Sequence, residues 1–329
     1  MKHLTILVPN GENNLSSIVG SYKIFNRANA IFTAKGRNAV FTIELVGTSQ
    51  KIGFYDDLFT VQPHKKLSEI KKTNCIIIPS LNHNFDSAVQ ENQEIIDWIN
   101  KQYHLGAEVA SICTGAFLLA ATGLLEGKMC ATHWSAAAVF KQRFPNINLQ
   151  PDQLITDENG IYTNGGAYSF LNLILYLIEK FYDRETALLC SKIFQIDMNR
   201  SQQSEFIIFN GQKEHEDEAV LEAQEYLEQN FQEKISIAYL SEKLHITRRN
   251  FDRRFIKATG VTPLDYLQRV KIEAAKKQLE NYPKTVTEVM YEVGYNDAKA
   301  FRDVFCRITG LSPVEYKLRY NKNASFIEK

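Results

Sequence analysis

Six residues in the last third of the chain recur at a single offset of 50. Phe251, Phe255, Thr259, Gly260, Pro263 and Tyr266 return as Phe301, Phe305, Thr309, Gly310, Pro313 and Tyr316. All are of types used for packing or turning, so the segment contains two copies of one supersecondary unit, and two copies are too few for a solenoid. In each copy a short helix (about 236–244, then 286–293) precedes a turn and a second helix (about 248–258, then 297–308). That order is the helix-turn-helix plan. Thr247 is the expected N-cap of the first second helix and Asn296 or Asp297 of its counterpart, while Gly260 and Gly310 stand where those helices close.

Helical geometry then sorts the side chains. With Phe251 and Phe255 one turn apart on the buried stripe, Arg249 and Arg253 lie almost opposite at about 100° per residue, with Asp252 and Ile256 beside them. Arg248 and Arg254 fall on the flanks, where a helix lying in a major groove meets phosphates. In the second copy Lys299 and Asp303 turn outward and Arg302 stands at the shoulder. Arginine reads guanine bidentately and aspartate accepts from cytosine, so a mixed face fits sequence readout as well as charge attraction. Two plainer readings compete: solvated charges on an amphipathic helix, and a Lys299–Asp303 pair at i,i+4.

Charge distinguishes these readings. The whole chain carries 38 basic and 38 acidic residues, but residues 1–233 hold 19 Lys and Arg against 27 Asp and Glu, a net of −8, and residues 234–329 hold 19 against 11, a net of +8. An acidic body joined to a basic, polyanion-binding module is the expectation.

The remainder alternates strand-like and helix-like runs. Leu4–Val8, Val40–Val46, Cys75–Pro79 and Ala107–Ile112 are short β-rich stretches, the third uninterrupted apolar as in a strand buried on both faces. Helices are expected at about 15–30, 90–103, 114–122, 134–143 and 168–193, which gives an open parallel α/β sheet. After about residue 195 the strand signal stops, and the polar stretch 196–217, ending in the acidic run Glu214–Glu218, is expected to be a linker between a domain at 1–195 and an all-α domain at 218–323.

The most chemically suggestive string is VASICTGAFLLAATGLLEGK at 109–128. A β-run ends at Ile112, Cys113 follows, and an Ala- and Leu-rich helix begins at once, with Ser111 and Gly115 as small flanks. This is the shape of a nucleophile elbow, with His133 in CATHW as the available base. The competing reading makes Cys113 a small buried residue under a tight turn and packs His133 on Trp134. Gly165 and Gly166 mark either a close backbone approach or a plain turn.

Composition removes other classes. With 44% hydrophobic and 23% charged residues, 16 Gly and 8 Pro, the chain is neither disordered nor low-complexity. No stretch approaches the roughly 18 apolar residues of a membrane span, and the N-terminus turns polar after one strand-sized run, so neither membrane insertion nor a signal peptide is expected. Five widely spaced cysteines with no CxxC pair fit neither a disulfide framework nor a zinc site. We expect no metal, no cofactor and a cytoplasmic location.

TRRNFDRRFIKATGVTPLDYL at 247–267 and VGYNDAKAFRDVFCRITGLSPVEY at 293–316 resemble the AraC/XylS-type DNA-binding domain. The resemblance implies two helix-turn-helix units joined by a long helix, here about 263–280, on one face of double-stranded DNA. It makes Arg249, Asp252 and Arg253 base-facing in the first unit, and Lys299 and Arg302 in the second. The family usually has Arg where Lys271 stands, and Ala where Ser241 and Met290 stand. Residues 1–195, through LTILVPNG, CIIIPS, the elbow string and ATHW, resemble the PfpI-type branch of the class I glutamine-amidotransferase-like superfamily, with its flavodoxin-like sheet. Enzymes of that branch typically place histidine directly after the elbow cysteine and an acidic residue near the end of the first strand; here Thr114 follows Cys113, and Glu12 stands in the loop NGENN.

The combination resembles the GlxA-type transcriptional regulators. It implies a non-catalytic sensor whose elbow pocket, formed by Cys113, Thr114, His133 and Trp134, binds a small amine- or amino-acid-like effector, in a homodimer, with RNA polymerase as a further partner. Two alternatives stand beside it: a cysteine-dependent hydrolase or isomerase of the PfpI type, with Cys113 as residual nucleophile, fused to a DNA-binding domain; and an architectural DNA-binding protein whose first half only dimerises.

Overall fold

The structure is a computed structural model that describes residues 1–82, 84–198, 202–213 and 215–321. It divides into two compact units, Met1–Gln203 and a second beginning at Ser204. The division falls inside the expected linker: Gln203 groups with the first unit, and the second opens at Ser204. Residues 199–201 and 214 of that linker, and residues 322–323 of the expected all-α domain, lie outside the described residues.

The first unit is built on strands β1 (Lys2–Val8), β2 (Phe41–Gly47), β5 (Lys65–Lys66), β6 (Cys75–Ile78), β7 (Glu108–Ile112), β10 (Ile155–Glu158) and β11 (Ile161–Asn164). They form one sheet in the order β10-β11-β7-β6-β1-β2-β5, in which only β10 runs antiparallel to its neighbour. Two smaller ribbons flank it, β3 (Ile52–Phe54) with β4 (Phe59–Val61) and β8 (Met129–Cys130) with β9 (Asn148–Leu149).

Apolar residues on both sides of every central strand explain the two helical layers, since a period of 2 sends neighbours to opposite faces. Leu4, Ile6, Val8, Cys75 and Ile77 pack with α1 (Leu15–Ala34), α6 (Phe170–Phe181) and α7 (Arg184–Phe194). Leu7, Ile76, Ile78 and Val109 pack with α2 (Phe85–Glu91), α3 (Gln93–His104), α4 (Ala116–Ala121) and α5 (Ala137–Arg143).

Two differences from the sequence expectation have local causes. The helix expected at 168–193 is broken at Tyr182, and α7 starts afresh because the Asp183 carboxylate caps it, accepting from the Thr186 N–H at 2.7 Å. The β10–β11 hairpin was not anticipated. Its turn is Asn159-Gly160, both at positive φ (55° and 74°), the pair that a tight hairpin of this kind demands.

The second unit contains α8 (Glu218–Gln229), α9 (Ile237–Lys243), α10 (Arg248–Thr259), α11 (Pro263–Asn281), α12 (Val286–Glu292), α13 (Ala298–Thr309) and α14 (Pro313–Tyr320). The repeated residues repeat their roles. Phe251 and Phe255 are buried in one core, and Phe301 and Phe305 in a second. Thr259 and Thr309 each donate to the phenylalanine carbonyl four residues back at 2.8 Å, and Gly260 and Gly310 close α10 and α13 at φ 76°, a left-handed conformation suited to glycine. Pro263 and Pro313 open the next helices behind Thr262 and Ser312 caps, and the Tyr266 and Tyr316 hydroxyls donate to Glu228 and Glu280.

Helix α11 serves both cores: Tyr266 and Leu267 belong to the first, and Ile272, Ala275 and Leu279 to the second. The copies differ in their turns. Residues 244–247 join α9 to α10, whereas residues 293–297, one more, join α12 to α13. The left-handed position is His245 in the first turn and Gly294 in the second. The buried Lys271 ammonium donates to the Gly294 carbonyl at 3.1 Å, tying α11 to the longer turn.

Candidate nucleic-acid interface and ligand crevice

The reading faces follow from the phenylalanine stripes. Phe251, Phe255, Phe301 and Phe305 are at most 1% exposed, and Arg248, Arg249, Arg253, Lys299, Arg302 and Asp303 are all exposed. The structure qualifies several of them. Arg248 and Asp252 bond each other along α10, Nε to Oδ2 at 2.9 Å, and Arg253 donates to the Asn250 side chain at 2.9 Å. Arg254 turns away to a bidentate pair with Asp217, the N-cap of α8, and so serves the scaffold. Arg248, Arg249, Arg253 and Lys257 are the exposed basic residues of the first reading helix, and of these Arg248 is held in the pair with Asp252.

Asp265, near the start of α11, accepts from Arg269 at 2.8 Å and from Arg307 of α13 at 2.9 Å, while Arg307 also donates to Gln268. These two guanidinium groups hold the Asp265 carboxyl below its ordinary range despite partial burial. The cluster fixes the second reading helix against the connecting helix, which the sequence reading missed because its members are 42 residues apart.

In the first unit, Cys113 sits at the carboxyl end of β7 with φ 55°, in a single 3-10 turn (Cys113–Gly115) that leads into α4. A non-glycine residue held there is strained, as at an elbow. Gly115 is required by space: a Cβ on it would lie 2.5 Å from the Pro79 carbonyl oxygen. Burial pushes the Cys113 thiol up, and hydrogen bonds from the Ser80 hydroxyl and the Thr114 and His133 backbones offset only part of that. Burial thus works against the thiolate that nucleophilic chemistry needs.

Thr114 stands where the enzymes resembled here have histidine, and its hydroxyl is engaged with Ser80 at 2.9 Å and with both the N–H and carbonyl of Leu81. His133 lies beside the sulfur through its backbone, while its Nδ1 accepts from the Ser135 N–H and bonds the Ser135 hydroxyl at 2.7 Å, and its ring lies tilted against Trp134 with centroids 5.3 Å apart. Glu12 accepts from the Asn82 amide. Cys113, Thr114, His133 and Trp134 are thus gathered at the sheet's carboxyl edge, where open α/β sheets place ligands. Sequence reasoning missed Ser80 and Thr132, whose hydroxyl donates to the Cys113 carbonyl at 3.0 Å. Among the described residues no group of three or more His, Cys, Asp and Glu is placed to hold a metal ion, and no helix is long and apolar enough to cross a membrane.

Residues 18–180 match the DJ-1/PfpI family, and residues 240–319 match the helix-turn-helix domain family. The chain joins a DJ-1/PfpI domain to an AraC-type helix-turn-helix domain. It is 25% identical over 228 residues to the HTH-type transcriptional regulator GbdR of Pseudomonas aeruginosa, covering 67% of this chain and 60% of that one. It is 26% identical over 222 residues to the HTH-type transcriptional regulator GlxA of Rhizobium meliloti, covering 65% and 66%. The chain therefore spans just under two thirds of these relatives' length. A solved structure from Vibrio parahaemolyticus, described as a transcriptional regulator, superposes with a TM-score of 0.52 at 25% identity over 58% of this chain and 98% of that one. The DJ-1/PfpI match covers the Cys113 turn, and the helix-turn-helix match covers α10 and α13.

Proposed function

We propose that the protein is a sequence-specific DNA-binding transcriptional regulator whose DJ-1/PfpI domain senses a small metabolite, amine- or amino-acid-like, without turning it over. The observation that carries the reading is the duplicated reading helix: in both copies the phenylalanine pair is buried and basic side chains, Arg249 and Arg253, then Lys299 and Arg302, are exposed on the other side. The regulator names of the relatives support the same role. The raised Cys113 thiol and the engaged Thr114 hydroxyl favour binding over nucleophilic catalysis.

In this reading the protein works in the cytoplasm as a homodimer on neighbouring half-sites, where linkage raises the effective concentration of the second reader, and it acts on transcription through RNA polymerase. The residues assigned to DNA are Arg248, Arg249, Asp252, Arg253, Lys299 and Arg302, with Arg254 acting through Asp217. Selection of bound duplexes from a random library tests it. An enriched bipartite motif is the expected result, and binding that shows no preference among sequences would overturn it. For the crevice, a thermal-shift screen of amino acids, betaines and related amines on the full chain reads ligand binding directly.

A further inference from the structure

Gln203 is the last residue of the first unit, and its side chain is fully buried. Its amide nitrogen donates to the carbonyls of Thr132 at 3.0 Å, Pro151 at 2.7 Å and, more weakly, Gln153 at 3.4 Å. Its backbone N–H donates to the Asp152 carbonyl at 3.1 Å, and Gln202 bridges to Gln153. Room for this side chain comes from the Gly165-Gly166 pair: a Cβ on Gly165 would fall 2.2 Å from the Gln203 nitrogen. Of the two readings left open for these glycines, close approach of another chain segment is the one that accounts for Gly165.

The two ends of the amide are treated differently. Both protons of the nitrogen are taken up by carbonyls, whereas the side-chain oxygen is buried with no hydrogen-bond partner among the described residues. A buried acceptor left unmade opposes the contact that holds it there.

Thr132 connects this contact to the crevice, because its hydroxyl donates to the Cys113 carbonyl and the next residue, His133, places its backbone against the Cys113 sulfur. One hydrogen bond separates Gln203 from the loop that walls the elbow. One peptide bond separates it from Ser204, where the second unit begins. We propose that Gln203 is the positioning residue that couples the crevice to the DNA reader, latched on the Thr132–Trp134 loop in one state and released in the other. The inference rests on the reading of the chain as a DNA-binding regulator.

Coupling between sites is reciprocal, so DNA held by the reader must change the crevice as an effector in the crevice changes DNA affinity. The latch is thus testable without the effector. In the full chain, the rate of Cys113 alkylation by iodoacetamide is followed by peptide mass spectrometry with and without a saturating random-sequence duplex of about 30 base pairs at low salt. Cys75, buried in β6, reports global unfolding. The wild-type rate is expected to change about fivefold or more on adding duplex. In Gln203→Ala and Gln203→Glu, and independently in Gly165→Ala, the change disappears while duplex affinity stays within about twofold and the Cys75 rate is unmoved. A duplex that binds without altering the wild-type Cys113 rate, or alters it equally in the variants, overturns the latch. A duplex that does not bind at all overturns the reader assignment, and the latch with it.

Discussion

Arg254 and Asp217 form a two-pronged ion pair, Nε to Oδ2 at 2.8 Å and Nη2 to Oδ1 at 2.6 Å, and the same carboxylate accepts from the Val220 N–H as the N-cap of α8. A residue of the first reading helix is thereby committed to holding the helix before it.

Arg254→Ala and Asp217→Ala are expected to destabilise the helical unit, Asp217→Ala by about 1–2 kcal/mol because it removes a cap as well as the pair, and Arg254→Ala by roughly 1 kcal/mol or less because the pair is partly solvated. Its Arg254 partner, together with the cap, holds the Asp217 carboxyl below its ordinary value. A lowered folded-state value gives stability that is present above the unfolded carboxylate range near pH 4 and is lost as pH falls through the lower folded value. Urea melts at pH 6 and pH 3 check this: the penalty of Asp217→Asn should shrink at the lower pH.

Arg249→Ala and Arg253→Ala each weaken binding to a selected site by roughly 1–3 kcal/mol and relax base choice. Titration against the site and its single-base variants measures both effects. Operator discrimination left intact in both variants would remove the assignment of this face.

Asp252→Ala frees Arg248 and removes a negative charge beside it. Binding to random duplex should tighten, and the slope of log affinity against log salt should steepen by up to about one phosphate contact.

Cys113→Ser should leave any effector response intact, and Cys113 in the wild type should alkylate at pH 7 more than about tenfold slower than an exposed cysteine, accelerating as pH rises, since only the thiolate reacts. Fast alkylation at pH 7 would revive the hydrolase alternative.

Gly115→Ala places a methyl against the Pro79 and Ile78 carbonyls. The expected cost is about 1–3 kcal/mol, seen as a Tm lower by several degrees in scanning calorimetry.

The helical unit was legible because its signal is local and doubled: the same phenylalanine, threonine, glycine and proline types recur with the same duties. The elbow was legible for a related reason, an abrupt change from a β-run to small residues at Ile112-Cys113. What stayed hidden depends on partners far apart in sequence. Nothing near Arg254 announces Asp217, and nothing near Gln203 announces Thr132 or Gly165. The β10–β11 hairpin was overlooked although Asn159-Gly160 advertised it, and the break at Tyr182 lay in a stretch whose apolar periodicity runs through the Asp183 cap without pause.

Because α11 gives its first turns to one phenylalanine core and its later turns to the other, neither reading head owns a complete interior. A cut within α11 strips packing partners from both interiors, so the two heads are expected to unfold together.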